Sequence, residues 1–317
     1  MQTQQQKQQQ QNQSLKEIFV STNKANNNNN HNISAIRFDL PQISLHGLEI
    51  GNPDGKTILC LHGWLDNAAS FLPLFEQLQQ SQSALLSRCR FIAIDWPGHG
   101  LSDHRGGDAH YHFVDYVDDL YQLLHHLKLQ KITLLGHSMG GMVSTLFAGT
   151  FAEKVEQLLL IESVGLITET DEPGKLLRQG IESRAKQSQK NKTLHKDIDS
   201  AVKARMNVSD LDYDSAQKIV SRATVDVDGG VRWRSDPRLR TVSLMRFALP
   251  QAQHIVSQIS APVTLIKGDQ GFAMIDQGLT FFGKKMRNLN TVTFAGGHHV
   301  HMQQAQQLSQ LLEQILG

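Results

Sequence analysis

The pattern Gly-x-Ser-x-Gly at residues 136–140 constrains the fold of this chain more than any other sequence feature. It follows a run of strand-forming residues at 131–135 and precedes a helical pattern at 139–148. A serine in this setting lies on a tight turn between a strand and a helix, and the flanking glycines provide the space that the turn needs. We therefore predict that the Ser138 hydroxyl projects from the end of a sheet. The alternative interpretation is a glycine-rich turn with an incidental serine.

A serine at such a turn acts as a nucleophile only if a base takes its proton and a third group orients the base. A loop with three histidines, His298, His299 and His301, follows a strand-like run at 291–294. Because the carboxyl ends of parallel strands meet at one edge of a sheet, this loop can reach Ser138. We predict that His298 is the base, since it directly follows a pair of glycines, and we keep the other two histidines as alternatives.

Strand-like and helical patterns alternate along residues 33–165 and return at 261–317. This alternation predicts an α/β fold, with a mostly parallel twisted sheet and helices on both faces. Residues 166–260 interrupt the rhythm, because they are polar, helical in pattern and without a strong buried strand. We predict that this segment is a helical cap, inserted above the carboxyl ends of the strands.

Composition limits the partners and the location of the protein. Residues 1–32 are rich in glutamine and asparagine, and we predict a disordered tail because they have too few apolar side chains to form a core. A net charge of +1 argues against nucleic acid or an anionic membrane as a partner. No stretch approaches the roughly 18 apolar residues of a membrane span, so we expect no stable membrane association. Cys60 and Cys89 form no disulfide or metal-site pattern, which favours a reducing, cytoplasmic setting.

Four motifs occur in one order along the chain: His62-Gly63-Trp64, Asp95-x-x-Gly98-His99-Gly100-x-Ser102, Gly136-His137-Ser138-Met139-Gly140-Gly141 and Gly297-His298. Together they resemble the α/β-hydrolase superfamily, and the resemblance covers the chain from about Ile36 to its end. The segments 62–67 and 297–302 further resemble the serine hydrolase-like branch of that superfamily.

The resemblance implies an α/β-hydrolase fold with Ser138 as the nucleophile. It also implies an oxyanion hole formed by the backbone amides of Trp64 and Met139, and a helical cap that shapes the substrate site. It implies a small-molecule substrate, and we expect neither a metal nor a cofactor.

The acid of the site departs from the commonest pattern of the family. Many relatives carry an aspartate at the position that is Gly271 in this chain. Two substitutes exist, because Glu162 ends the strand that precedes the cap and Asp269 lies close to the usual loop. Either carboxylate could accept the other ring N–H of His298 and stabilise the imidazolium. We favour Glu162, since Asp269 comes two residues early and this displaces its carboxylate by as much as ~7 Å.

These residues predict a serine hydrolase that acts on an ester or related acyl bond of a small to medium-sized carbon substrate. The alternative is a catalytically weak or inactive member of the fold that serves as an interaction or ligand-binding protein. The unusual position of the acid is the feature that supports this alternative. The fold and the catalytic residues do not specify the substrate itself.

Overall fold

The apolar runs of the sequence become strands in the computed structural model, which describes residues 31–169, 172–187 and 193–317. The strands are β1 (Ser34–Asp39), β2 (Ser44–Gly51), β3 (Lys56–Leu61), β4 (Cys89–Ile94), β5 (Ile132–His137), β6 (Val155–Ile161), β7 (Leu194–His195), β8 (Thr224–Val227), β9 (Gly230–Trp233), β10 (Val263–Gly268) and β11 (Leu289–Phe294). Eight of them form one sheet in the order β1-β2-β4-β3-β5-β6-β10-β11.

The pairing within this sheet brings the loops of interest to one edge. From β4 through β3, β5, β6 and β10 to β11 each neighbouring pair is parallel, whereas β1 and β2 are antiparallel additions. The loops that follow the parallel strands therefore leave from the same edge. Five residues predicted for the site follow β3, β5, β6, β10 and β11 in turn: Trp64, Ser138, Glu162, Asp269 and His298.

The helices cover both faces of the sheet. They are α1 (Leu72–Gln80), α2 (Leu85–Arg88), α3 (Asp115–His126), α4 (Met139–Thr150), α5 (Pro173–Gln187), α6 (Ile198–Met206), α7 (Tyr213–Ala223), α8 (Leu249–Ser257), α9 (Met274–Phe282), α10 (Val300–Gln303) and α11 (Ala305–Leu316). Leu59 and Leu61 of β3 belong to an apolar cluster with α3, α4, α8 and α9. Side chains alternate along a strand, and on the other face Phe75 of α1 packs against Phe91 of β4. The predicted mostly parallel sheet with helices on both faces is confirmed.

The segment predicted as a helical cap contains more than helices. Besides α5 to α8 it holds a three-stranded antiparallel sheet of order β7-β9-β8, which the sequence analysis did not predict. Strands of two to four residues are too short to show a clear alternation of apolar and polar residues. Helix α8 at the end of the segment packs against α4. The boundaries at residues 166 and 260 stay a prediction.

The middle of this segment has an apolar cluster of its own. Its buried members come from α6, α7, β9 and the intervening loops, and they are Ala201, Val202, Leu211, Ala216, Ile219, Val220 and Val231. Met302, in α10 just after the histidine loop, is buried in the same cluster. Residues 166–260, for which we keep the name of the predicted cap, are therefore joined to the histidine loop by apolar packing.

The remaining sequence predictions concern the N-terminal tail and membrane-spanning helices. The tail predicted at 1–32 lies outside the described residues, except for His31 and Asn32. In the described part of the chain, no helix combines the length and the apolar character that crossing a bilayer requires.

Candidate active site

Ser138 lies between β5 and α4 in a backbone conformation that side chains rarely adopt. Its φ is 50° and its ψ is −116°, which places strain at this turn. A Cβ atom at Gly136 would lie 2.7 Å from the backbone of Gly140, and one at Gly140 would lie 2.1 Å from the carbonyl oxygen of Leu61. The two glycines are thus required by close packing. The Ser138 N–H donates to the carbonyl oxygen of Ile161 at 2.9 Å, which fixes the turn to β6.

Glu162 directly follows β6 and is buried, with 1% of its surface exposed. Its Oε1 accepts a hydrogen bond from the Gly268 amide at 2.7 Å, and its Oε2 accepts one from the Phe272 amide at 3.1 Å. Its Oε2 also lies 3.3 Å from Nδ1 of His298. Two backbone amides therefore hold the carboxylate against the imidazole of His298, which is the position that an orienting acid requires.

Asp269 does not reach His298 among the contacts of the described residues. It is exposed, and its Oδ1 accepts a hydrogen bond from the Gly296 amide at 2.8 Å. Residue 271, where many relatives carry the aspartate, has no room for a side chain in this protein. A Cβ atom at Gly271 would lie 2.3 Å from Oε1 of Glu162. The carboxylate of Glu162 fills the space in which a side chain at residue 271 would begin.

His298 is held by two contacts to its ring and one to its backbone. Its ring stacks on Phe272 with 4.0 Å between the centroids, and Nε2–H of His137 donates to the His298 carbonyl oxygen at 2.9 Å. Glu162 contacts its Nδ1. No hydrogen bond joins it to the Ser138 hydroxyl within the described residues. Hydrogen bonds of this kind are often long in free enzymes and shorten when substrate binds.

The two backbone amides predicted to form the oxyanion hole belong to loops at the same edge of the sheet as Ser138. Met139 begins α4, so its N–H belongs to the helix N-terminus, where the helix dipole favours negative charge. The Trp64 N–H belongs to the loop after β3. Neither amide donates to an acceptor in the part of the chain that the structure describes. The indole N–H of Trp64 donates to the Leu239 carbonyl oxygen at 2.9 Å, which ties this loop to the cap.

Comparison with known proteins places this chain in a family. The family model described as alpha/beta hydrolase fold matches residues 56–305. The chain belongs to the α/β-hydrolase family. A serine hydrolase-like protein of Danio rerio is 30% identical over 294 residues, which cover 89% of this chain and 88% of that protein.

A human relative supports the branch to which this α/β-hydrolase belongs, and a solved structure supports its fold. Serine hydrolase-like protein 2 of Homo sapiens is 28% identical, over 90% of this chain and 94% of that protein. A solved structure of a hypothetical protein from Pseudomonas aeruginosa is similar with a TM-score of 0.81 and 32% identity, over 89% of this chain and 97% of that one. The predicted resemblance to the serine hydrolase-like branch is confirmed.

Other residues of the family motifs hold the loops of this α/β-hydrolase in place. Asp95 accepts from the Ala68 and Leu101 amides and pairs with Arg222 of α7. Nε2 of His62 accepts from the Trp96 amide at 3.0 Å. Among the residues that the structure describes, no group of histidine, cysteine or acidic side chains is arranged to hold a metal ion.

Sequence reasoning missed a cluster of charged side chains beside the histidine loop. Buried Asp66 pairs with Arg205 of α6 at 2.6 Å through Oδ1, and its Oδ2 lies 3.4 Å from Nε2 of His299. The other ring nitrogen of His299 donates to Oδ1 of Asp210. We call these four residues the cap–loop cluster. Its members come from three distant parts of the sequence, so no local pattern could have revealed them.

The surroundings of His299 differ from those of its histidine neighbours. Burial lowers the pKa of His299, but Asp66 and Asp210 outweigh burial and raise this pKa to about 9. Burial lowers the pKa of His301 to about 3 and holds the pKa of His137 well below its usual value. At neutral pH, His299 is therefore an imidazolium, whereas His137 and His301 are neutral.

Proposed function

We propose that this protein is a serine hydrolase that cleaves an ester or related acyl bond of a small to medium-sized carbon substrate. Ser138 is the nucleophile, His298 the base and Glu162 the acid. The contact of 3.3 Å between Glu162 and His298, beside the strained turn of Ser138, is the observation that carries the proposal. It also weakens the case for an inactive protein, because that case depended on an acid out of reach of the histidine.

In the proposed mechanism, the Ser138 hydroxyl attacks the substrate carbonyl carbon while Nε2 of His298 takes the hydroxyl proton. Glu162 accepts the hydrogen bond from Nδ1–H and stabilises the imidazolium that forms. The amides of Met139 and Trp64 donate to the oxyanion of the tetrahedral intermediate. His298 then protonates the leaving group, and it later removes a proton from the water that releases the acyl group.

Exposed aromatic side chains suggest an apolar part of the substrate. Phe272, which stacks on the ring of His298, is 53% exposed, and Trp64 is 49% exposed. Binding sites for small molecules are lined mainly by apolar and aromatic side chains. We infer that they contact the acyl or alcohol chain next to the scissile bond.

A panel of p-nitrophenyl esters of increasing chain length tests the proposed reaction and its substrate class together. We expect turnover that depends on chain length, with Phe272→Ala raising KM most for the longer chains. Equal rates for the wild-type protein, Ser138→Ala and the buffer blank across the whole panel would contradict the proposal.

The close approach of Gly271 to Glu162 gives a second prediction. A methyl group at residue 271 must displace the carboxylate, so Gly271→Ala should lower kcat by roughly 10²-fold, as small misplacements of catalytic groups do. Gly107→Ala is the matched control, because a Cβ atom there meets nothing within 4 Å. Steady-state kinetics with one ester compares the two variants, and equal kcat values would mean that Glu162 is not the acid.

A further inference from the structure

The cap contacts the histidine loop directly through Asp210. Oδ2 of this aspartate accepts a hydrogen bond from the His299 amide at 3.0 Å, and Oδ1 accepts one from the His299 ring. The Asp210 carbonyl oxygen accepts a hydrogen bond from Nε2 of Gln303 at 3.1 Å. One residue of the cap is thus bound to the loop through its side chain and to the helix that follows, α10, through its backbone.

Asp210 also lies against the residue on the other side of His298. A Cβ atom at Gly297 would be 2.2 Å from Oδ2 of Asp210. Glycine at this position therefore permits the aspartate to approach the backbone. The carboxylate touches the loop immediately before and immediately after His298, so it restricts the backbone that carries this imidazole.

Asp66 connects the cap and the histidine loop to the loop after β3. It follows Trp64 by two residues and pairs with both Arg205 of the cap and His299 of the loop. The loop that carries the proposed oxyanion donor and the loop that carries the proposed base are therefore joined by one carboxylate. Asp66 is 2% exposed, so solvent weakens these ion pairs little.

We propose that Asp210 is a positioning residue, through which the cap holds the histidine loop so that His298 faces Ser138. The inference rests on the proposed function, because it takes His298 as the base. It extends that function by giving the cap a part in catalysis besides enclosing the substrate. When Asp210 is lost, His298 keeps Glu162 but its backbone gains freedom, and the productive orientation becomes less populated.

The charges around His299 make the cluster sensitive to pH. The titratable groups around its ring are Asp66 of the loop after β3, Asp210 of the cap, His137 of β5, His298 of its own loop and His301 of α10. Arg205 of the cap pairs with Asp66. Two carboxylates balance Arg205 and the His299 imidazolium. Because the folded-state pKa is raised, the cluster is intact below about pH 6.5, the ordinary histidine pKa, and weakens as pH rises through about 9.

Substitution of Asp210 tests the positioning role. The variants are Asp210→Ala, which loses all side-chain contacts, and Asp210→Asn, whose amide oxygen can still accept from the His299 amide. Glu76→Gln is the matched control, because Glu76 pairs with Lys218 and so joins the cap to α1 away from the histidine loop. Fluorophosphonate titration of active sites corrects each kcat for the fraction of folded protein.

We expect Asp210→Ala to lower kcat per titrated site by about 10- to 100-fold, the cost known for losing residues that orient histidines in metal sites, with KM changed by less than about twofold. Asp210→Asn should recover part of the loss, and Glu76→Gln should match the wild-type protein. A merely structural role would lower the melting temperature of Asp210→Ala and leave kcat per site unchanged, which would overturn the inference.

Nuclear magnetic resonance of ¹⁵N-histidine-labelled protein separates this inference from the proposed function. In the wild-type protein we expect both ring nitrogens of His299 to be protonated at pH 8, because the two carboxylates raise its pKa to about 9. Asp210→Asn should lower that midpoint and shift the ring resonances of His298. If the wild-type protein reacts with no fluorophosphonate, the proposed function fails while these resonances still report on positioning. Unchanged His298 resonances in both Asp210 variants would overturn the inference.

Discussion

Replacement of Glu162 by glutamine is expected to lower kcat by roughly 10⁴-fold, whereas Asp269→Asn should retain most of the wild-type activity. Glutamine keeps the size of the side chain but removes the charge that stabilises the imidazolium of His298, and it can favour the wrong tautomer. Asp269 contacts only the backbone of Gly296 among the side-chain hydrogen bonds of the described residues. The loss of its charge should therefore leave the imidazole undisturbed.

Steady-state kinetics with one p-nitrophenyl ester, together with matched circular dichroism spectra, compares the two variants. The reverse result would transfer the role of acid to Asp269. If both single variants stay active, the double variant distinguishes a Ser138–His298 dyad from two carboxylates that replace one another.

Replacement of Ser138 by alanine is the second large effect that we expect. It should lower kcat by about 10³-fold or more with little change in the fold, since the variant loses the nucleophile and keeps the rest of the site. Ser257→Ala is a matched control, because Ser257 lies in α8, where its hydroxyl donates a hydrogen bond to the His254 carbonyl oxygen. Turnover by purified Ser138→Ala, free of contaminating esterase, would refute the assignment of the nucleophile.

The fold and the turn of Ser138 were predictable because their determinants are local. Each central strand is rich in apolar, strand-forming residues, as at 132–135, and such runs alternate with helical patterns. The glycines around Ser138 are imposed by contacts within the turn and with β3. The loop of His298 was predictable for a related reason, since it follows the last strand of a parallel sheet.

The acid could be identified only from the three-dimensional structure. Residues 162 and 271 are distant in the sequence, and only the structure reveals that the carboxylate at one fills the space beside the other. The sequence could therefore offer Glu162 and Asp269 as alternatives, and the structure brings Glu162 to His298.

The cap was the least predictable part of the molecule. Its three-stranded sheet is built from strands too short to show a period. The pairing of Asp66 with Arg205 joins residues 139 positions apart, and ion pairs over such separations leave no sequence pattern. His299 could be identified only as one of three neighbouring histidines, because its role depends on Asp66 and Asp210.

Reaction with a fluorophosphonate probe tests the central claim most directly, since the probe requires an activated serine and no knowledge of the substrate. Mass spectrometry of the intact protein and its peptides should find one adduct, on the peptide that contains Ser138, and none on Ser138→Ala. His298→Ala should react much more slowly, because the hydroxyl then lacks its base. Folded wild-type protein that acquires no adduct at Ser138 would contradict the account.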